Sequence, residues 1–174
     1  MKNTVSKLFG DIDYFAECAS KIAIENYKDS IRSNSVYSHD CREEGAYFCA
    51  VSKSCCNSLE MALPILFIYS LYEHEEWQKT EKPWKNNFKT DEWKKHLKDY
   101  WIPKYFSCEG ASSIKYMQAD AIDGFDIKNK LLDIAIPSPV LSITRYGDLN
   151  AWNSFDYLIE TGDEYIFFES WTTA

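Results

Sequence analysis

The stretch Ser58-Leu-Glu-Met-Ala-Leu-Pro-Ile-Leu-Phe-Ile-Tyr-Ser-Leu-Tyr-Glu-His-Glu-Glu-Trp77 holds the most apolar run of the chain, uncharged from Met61 to Tyr72. Those twelve residues fall short of a bilayer core of about 30 Å, and Glu73, Glu75 and Glu76 follow at once. The run therefore predicts a buried central helix and no membrane span. Leu59, Leu63, Leu66, Phe67 and Leu71 recur at helical spacing, while Ile65, Ile68 and Tyr69 cover the other faces. A helix that is apolar all round has to be enclosed by other elements. Pro64 marks either its first turn or a kink.

Upstream, Asp11 can cap a helix in which Ile12, Phe15, Ala16, Ala19, Ile22, Ala23 and Tyr27 fall at three- and four-residue spacing, to about Arg32. Ser33-Asn34-Ser35 and Ser38-His39-Asp40 read as a polar loop. From Glu43 a second helix, with Ala46, Cys49, Ala50 and Lys53, runs to Cys56, and Asn57 with Glu60 offers a capping box for the central helix. This pair of helices would be antiparallel. Downstream, residues 79–89 are charged and broken by Pro83, a surface loop pinned by Trp84 and Phe88. Thr90-Asp91-Glu92 starts a further helix with Trp93, Leu97, Tyr100 and Trp101 on one face, ended by Ile102-Pro103.

After residues 107–110 the pattern turns extended. Residues 130–136, 140–146 and 152–160 are short segments rich in β-branched and aromatic residues between Pro, Gly and Asn, and they predict strands. The strongest local signal is a hairpin: Tyr157 to Glu160, a turn at Thr161-Gly162-Asp163, then Glu164 to Trp171. Residues 112–119 suit a strand or a helix. Parallel pairing would need crossover helices that this tail cannot hold, so the sheet is expected to be antiparallel. The predicted fold is α+β in a single domain of residues 1–174. About four helices in a helical part, about 1–106, pack with a C-terminal antiparallel sheet, about 107–174. A chain of 174 residues can bury roughly 70% of its unfolded surface without a covalent staple.

The formal charge of −8 is placed unevenly: residues 106–174 hold four basic groups (Lys115, Lys128, Lys130, Arg145) against eleven acids. A surface of that sign repels phosphate backbones and draws basic proteins, so a protein partner is expected and nucleic acid is not. Trp77, Trp84, Trp93 and Trp101 lie among eight lysines, yet seven acids in the same window cancel their field. The six cysteines, with no apolar leader in the first ten residues, suggest a reducing cytoplasm and structural thiols. Cys41, Cys49 and Cys55 are spaced too widely for zinc knuckles, and no metal or other cofactor is expected. His39, His74 and His96 offer little acid-base chemistry, with His96 read as a solvated residue on a lysine-rich face; Cys41 beside His39 is no geometric nucleophile pair. Nucleophile elbow, phosphate loop, dinucleotide fingerprint and zincin motif are absent from the sequence, so no catalytic residues are assigned.

What remains is the acidic, aromatic last third. Asp148, Asp156, Glu160, Asp163, Glu164 and Glu169 alternate with Trp152, Tyr157, Tyr165 and Trp171. Carboxylates accept paired bonds from arginine, and Tyr and Trp are the usual anchors of protein interfaces. In this profile the chain resembles the immunity proteins of contact-dependent growth inhibition and other bacterial polymorphic toxin systems. The resemblance implies a non-enzymatic inhibitor, an antitoxin that covers a cognate, basic nuclease-type toxin domain with carboxylates standing in for substrate phosphate. The ten residues just named are then its partner-binding set. The extra aromatics suit a homodimer contact as well. A second resemblance rests on Arg32 and His39, whose interval is similar to the Arg-x(4 to 6)-His pattern of HEPN ribonucleases. It implies an RNA-cleaving or RNA-binding helical protein.

Overall fold

The computed structural model describes residues 2–38, 43–73, 90–123 and 126–173, with backbone alone at Lys2, Asn3, Thr90, Asp126 and Ile127. Among these residues the chain is α+β, with five helices, mainly N-terminal, and six strands in one antiparallel sheet. It divides into two compact units: Met1–Asp29 with Asn57–Ile114, and Ser30–Cys56 with Lys115–Ala174. The expected boundary near residue 106 therefore misses one exchange, because residues 30–56 belong with the sheet.

The helical unit contains α1 (Lys2–Gly10), α2 (Ile12–Ser20), α3 (Leu59–Glu73) and α4, which runs through Thr90–His96, a π-helical turn Leu97–Trp101 and Ile102–Tyr105. The central helix is α3, where Leu59 and every residue from Ala62 to Leu71 are buried. Its cap is Ser58, not Asn57. The Ser58 hydroxyl accepts from Met61 N at 3.3 Å and its carbonyl accepts from Ala62 N at 3.0 Å. Glu60 instead receives the Lys7 amine at 2.6 Å and the Tyr14 hydroxyl, a tie across three helices. Phe9, Phe15, Phe67 and Phe106 are all fully buried, and the Phe106 ring lies 5.6, 5.5 and 5.3 Å from the other three in that order.

Two helical expectations are corrected here. Asp11 does cap α2, accepting from Tyr14 N at 3.0 Å, but the helix stops at Ser20, whose hydroxyl turns back to the Glu17 carbonyl. The weak helix formers Ile22, Ile24 and Asn26 follow, and the chain passes through short 3-10 turns at Ile24–Asn26 and Lys28–Ser30. Conversely, Pro103 does not end α4. Ile102 N bonds Leu97 O across the wide π turn, and a residue without an N–H fits where that turn leaves a carbonyl without its usual donor. His96 is also not a solvated residue: its ring stacks on Tyr100 at 5.5 Å and meets Trp101 edge-on at 6.3 Å.

The sheet unit contains β1 (Ile31–Ser38), β2 (Glu44–Ser52), β3 (Tyr116–Ala119), α5 (Asp126–Ala135), β4 (Val140–Tyr146), β5 (Ser154–Thr161) and β6 (Glu164–Thr172). The order is β1-β2-β6-β5-β4-β3, antiparallel throughout. The hairpin Tyr157 to Trp171 and the strand at 140–146 stand where the sequence puts them. The expected loop at 33–38 is the edge strand β1, whose polar residues suit a half-solvated edge. The expected helix from Glu43 is β2, which sits next to the centre of the sheet and buries Gly45, Ala46 and Phe48 to Val51 on both faces. Such strands lose their alternation and read as plain apolar runs. The expected strand at 130–136 is the end of α5, whose Lys128, Leu131 and Ala135 are buried at helical spacing while Asp133 and Ile134 are exposed. Leu131 and Ala135 close a core with Ala46, Phe48, Ala50, Tyr157, Ile159, Ile166 and Phe168.

Candidate binding surface at one end of the sheet

Register decides which side chains meet. On the face opposite the α5 core, one cross-strand row runs Tyr37, Gly45, Trp171, Ser154 over β1, β2, β6 and β5. The next row inward crosses all six strands: Ser35, Tyr47, Glu169, Asp156, Tyr146, Tyr116. Two carboxylates thus stand directly opposite one another, with tyrosines on either side. Exposure falls along the face from Tyr37 at 49% and Trp171 at 37% to Tyr146 at 1%.

Trp152, at 65% exposure, is presented at the same end by the loop between β4 and β5. The loop opens at Gly147, whose φ of 81° suits glycine, and Gly147 N bonds the Lys115 carbonyl at 3.0 Å. The Asp148 carboxylate accepts from Asn150 N at 3.0 Å, an Asx turn that shapes the approach to Trp152. On either side of the tryptophan the backbone is tied down. Arg145 Nη2 donates to Ala151 O at 2.9 Å, and Thr172 N donates to Asn153 O at 2.8 Å. The Trp152 side chain therefore projects from a fixed backbone rather than a loose tip.

The field at this end is negative. Glu43, Glu44, Asp148 and Glu169 gather there, and the sheet unit as a whole carries seven basic and thirteen acidic side chains, −6 of the total −8. Burial, reinforced by the Glu169 charge opposite, pushes the Asp156 carboxyl up to about 8 against the pull of Arg145 and Lys128. Burial likewise lowers Lys128, to about 8; its amine is bonded to the Asp123 carbonyl and lies 4.2 Å over the Phe155 ring, which Arg145 also covers at 4.7 Å. Burial, with the Glu43 carboxylate next in effect, raises the Tyr37 phenol.

The ten residues singled out in the sequence divide into three groups. Asp148, Trp152, Asp163 and Trp171 are exposed, and Asp156 and Glu169 are partly so. Glu160 and Glu164 are already engaged: Lys53 Nζ reaches Glu160 at 2.7 Å, and Arg32 grips Glu164 with Nε at 2.8 Å and Nη2 at 2.5 Å. Tyr157 and Tyr165, at 0% and 7% exposure, are core residues. Asp163 sits in the hairpin turn at the far end of β6 from Trp171, so it is not part of this surface. Conversely, sequence reasoning passed over Tyr37, Gly45 and Glu43, all three inside a segment it read as loop and helix.

Arg32 is placed just as plainly. Its guanidinium also donates to the Ala135 carbonyl and covers the Phe48 ring at 4.9 Å, so on strand β1 it is a structural clasp without the helical setting that the ribonuclease resemblance implies. His39 lies outside the described residues, as do Cys41, His74, Trp77, Trp84 and the predicted loop at 79–89. Burial raises the thiols of Cys56 and Cys108 to about 11, which suits inert core groups.

The helical unit has an open cavity of about 750 Å³ lined in part by Asp11, Asp13, Lys98 and Asp99. Lys98 already meets Asp13 at 2.6 Å, and among the described residues no aromatic side chain lines the cavity. It offers no anchor comparable to Trp152 or Trp171. Among the described residues no helix is long and apolar enough to cross a membrane, and no group of three His, Cys, Asp or Glu side chains is arranged to hold a metal ion. Comparison with protein-family models, curated proteins and solved structures finds no match.

Proposed function

We propose that this chain is a binding inhibitor of the immunity-protein type, which uses the acidic, aromatic end of its sheet to cover a basic toxin domain. The observation that carries the reading is the placement of Trp152, Trp171 and Tyr37. Three large exposed aromatics gather at one end of a unit whose balance is −6. Exposed Trp and Tyr on fixed backbone supply anchoring area at little entropic cost, and the surrounding carboxylates speed and orient the approach of a basic partner. A nuclease domain, which must be basic where it holds phosphate, fits that description. In the complex Asp148 and Glu169 occupy places that phosphate groups would take.

The test is capture of a partner by the tagged protein from its native cells, with the product of the neighbouring gene included, followed by association rates at two salt concentrations. The expected result is a tight, salt-sensitive complex that weakens tenfold or more on Trp152→Ala. Capture of no basic protein, or a complex indifferent to Trp152 and to salt, would overturn the reading.

A further inference from the structure

At the far end of the sheet from Trp171, the chain leaves α5 and enters β4 through Ile134-Ala-Ile-Pro-Ser-Pro-Val-Leu141, a stretch with no charged residue. Ile134 is 77% exposed, Leu141 57% and Val140 44%. Scattered apolar residues on a surface are ordinary, but these three fall on one short stretch. They leave roughly 300 Å² of apolar side chain in water, the scale of the largest patch on a typical monomer. Beside this ridge lies an open groove of about 420 Å³, whose lining includes Ile134, Ile136, Pro137 and Asp163. The hairpin turn that carries Asp163 is tied to the ridge, since Gly162 N bonds the Pro139 carbonyl at 3.1 Å. On α5, Lys130, Asp133 and Ile134 are all exposed and share one outer stripe at helical spacing.

We propose that this face pairs with itself: a second copy of the chain docks on it about a two-fold axis that crosses α5 near Ile134. Shape, charge and area together select a second copy. The face carries a knob, Ile134, beside a hole, the groove along Ile136 and Pro137, and a two-fold contact puts each knob into the other copy's hole. Its charges complement themselves in the same arrangement. Antiparallel helices that cross at Ile134 carry Lys130, one turn before the knob, past the second copy's Ile134 to the side where Asp163 lines the groove. The ridge between these charges is itself uncharged, so two chains of net charge −8 can meet there with most of their acids held apart. Area sets the strength. Two ridges with their groove walls bury roughly 800–1,000 Å² in all, below the roughly 1,600 Å² of stable complexes, so the dimer is weak and reversible, with a Kd of about 10–500 µM. This inference goes beyond the binding reading above and does not depend on it. Trp152 and Trp171 stand at the opposite ends of β5 and β6 and stay uncovered in both copies.

The experiment is sedimentation equilibrium of the full chain from about 5 µM to about 1 mM at low salt, beside variants whose circular dichroism is matched to wild type. The wild-type mass should rise with concentration from that of one chain toward that of two, while Ile134→Glu stays a monomer throughout. Lys130→Asp and Asp163→Lys should each weaken self-association at least fivefold, because each sets like charges against one another at both symmetry-related contacts. An equimolar mixture of these two variants should restore the dimer, since in the mixed pair every such contact again joins opposite charges. Effects confined to one chain cannot produce that rescue. If Ile134→Glu disturbs the fold, Leu141→Lys carries the apolar part of the test with a loss of at least fivefold. A chain that remains monomeric to about 1 mM would overturn the proposal and leave the ridge to a different partner. A dimer indifferent to Ile134→Glu, or a mixture no tighter than its two components, would overturn it as well. Capture of a basic partner through Trp152 is measured separately, so either reading can fail while the other stands.

Discussion

Replacing Arg32 by alanine separates a structural arginine from a catalytic one. The substitution deletes two charge-assisted bonds to Glu164, a third to the Ala135 carbonyl, and the cation over Phe48 at 4.9 Å. A bond of this kind contributes about 1.5–3 kcal/mol when screened from water, but the Arg32 side chain is 40% exposed, which discounts the sum heavily. Glu164 is the more buried partner at 16%, and its carboxylate would be left without its cation. Together these terms put the loss at about 2–3 kcal/mol, which for a chain of this size lowers the melting temperature by roughly 5–10 °C. Urea unfolding followed by circular dichroism measures the first figure and calorimetry the second. Adding Glu164→Gln to Arg32→Ala should restore about half, because the orphaned charge is gone. A change below about 0.5 kcal/mol would refute this account of Arg32. Loss of an RNA-cleaving activity in a variant of unaltered stability would refute it too and restore the ribonuclease reading.

Further outcomes follow from the same structure. Phe67→Ala opens a cavity among Phe15, Tyr105 and Phe106 at the middle of α3 and should cost about 3–5 kcal/mol in urea unfolding, against under 1.5 kcal/mol for Leu63→Met. Asp156 binds its proton more tightly folded, near 8, than unfolded, near 3.8. The folded state therefore holds more protons in that window, and this group's stabilisation, complete below pH 4, is lost as pH rises toward 8, with a slope of at most about 1.4 kcal/mol per pH unit. Asp156→Asn should flatten that part of a stability profile, and a profile unchanged by it would remove Asp156 as the cause. Glu60→Gln, which weakens the tie to Lys7 and Tyr14 at the surface of the helical unit, should leave the urea midpoint almost unchanged, since both charged partners are well exposed to screening by water and salt.

Much of this architecture can be read from residues alone, and the exceptions share a cause. The central helix announces itself because Met61 to Tyr72 is too apolar to lie anywhere but inside, and the hairpin does because Gly162 interrupts two aromatic strands. β2 was unreadable for the opposite reason. With both faces buried it shows no alternation, and Ala46, Cys49 and Ala50 happen to fall at helical spacing. β1 hides behind Ser33, Asn34 and Ser35, residues that serve an edge strand as well as a loop. At the end of α5, the apolar cluster Leu131, Leu132 and Ile134, with Ile136 just beyond it, imitates a strand until burial shows which of them face inward.

The binding surface was half legible. Trp152 and Trp171 stand out as large aromatics among acids. Composition could not say that Tyr157 and Tyr165 point into the core, because alternation alone does not tell which face is covered. Nor could it set Gly45 under Trp171, since that juxtaposition depends on a strand order in which β6 pairs with β2 from the first half of the chain, whereas Asp156 opposite Glu169 follows from the register of the β5–β6 hairpin. Gly45 at the head of an apolar run was the available signal, for a glycine inside a strand often marks a place where something approaches closely.

The central claim is that the acidic, aromatic end of the sheet receives a basic protein. The most direct test is the association rate with the captured basic partner at about 50 and 500 mM salt, for wild type and for the double charge reversal Asp148→Lys with Glu169→Lys. The account predicts a wild-type rate that falls at least tenfold with salt and a reversed variant that is slow at both concentrations yet melts within a few degrees of wild type. A variant that associates as fast as wild type at low salt would contradict it.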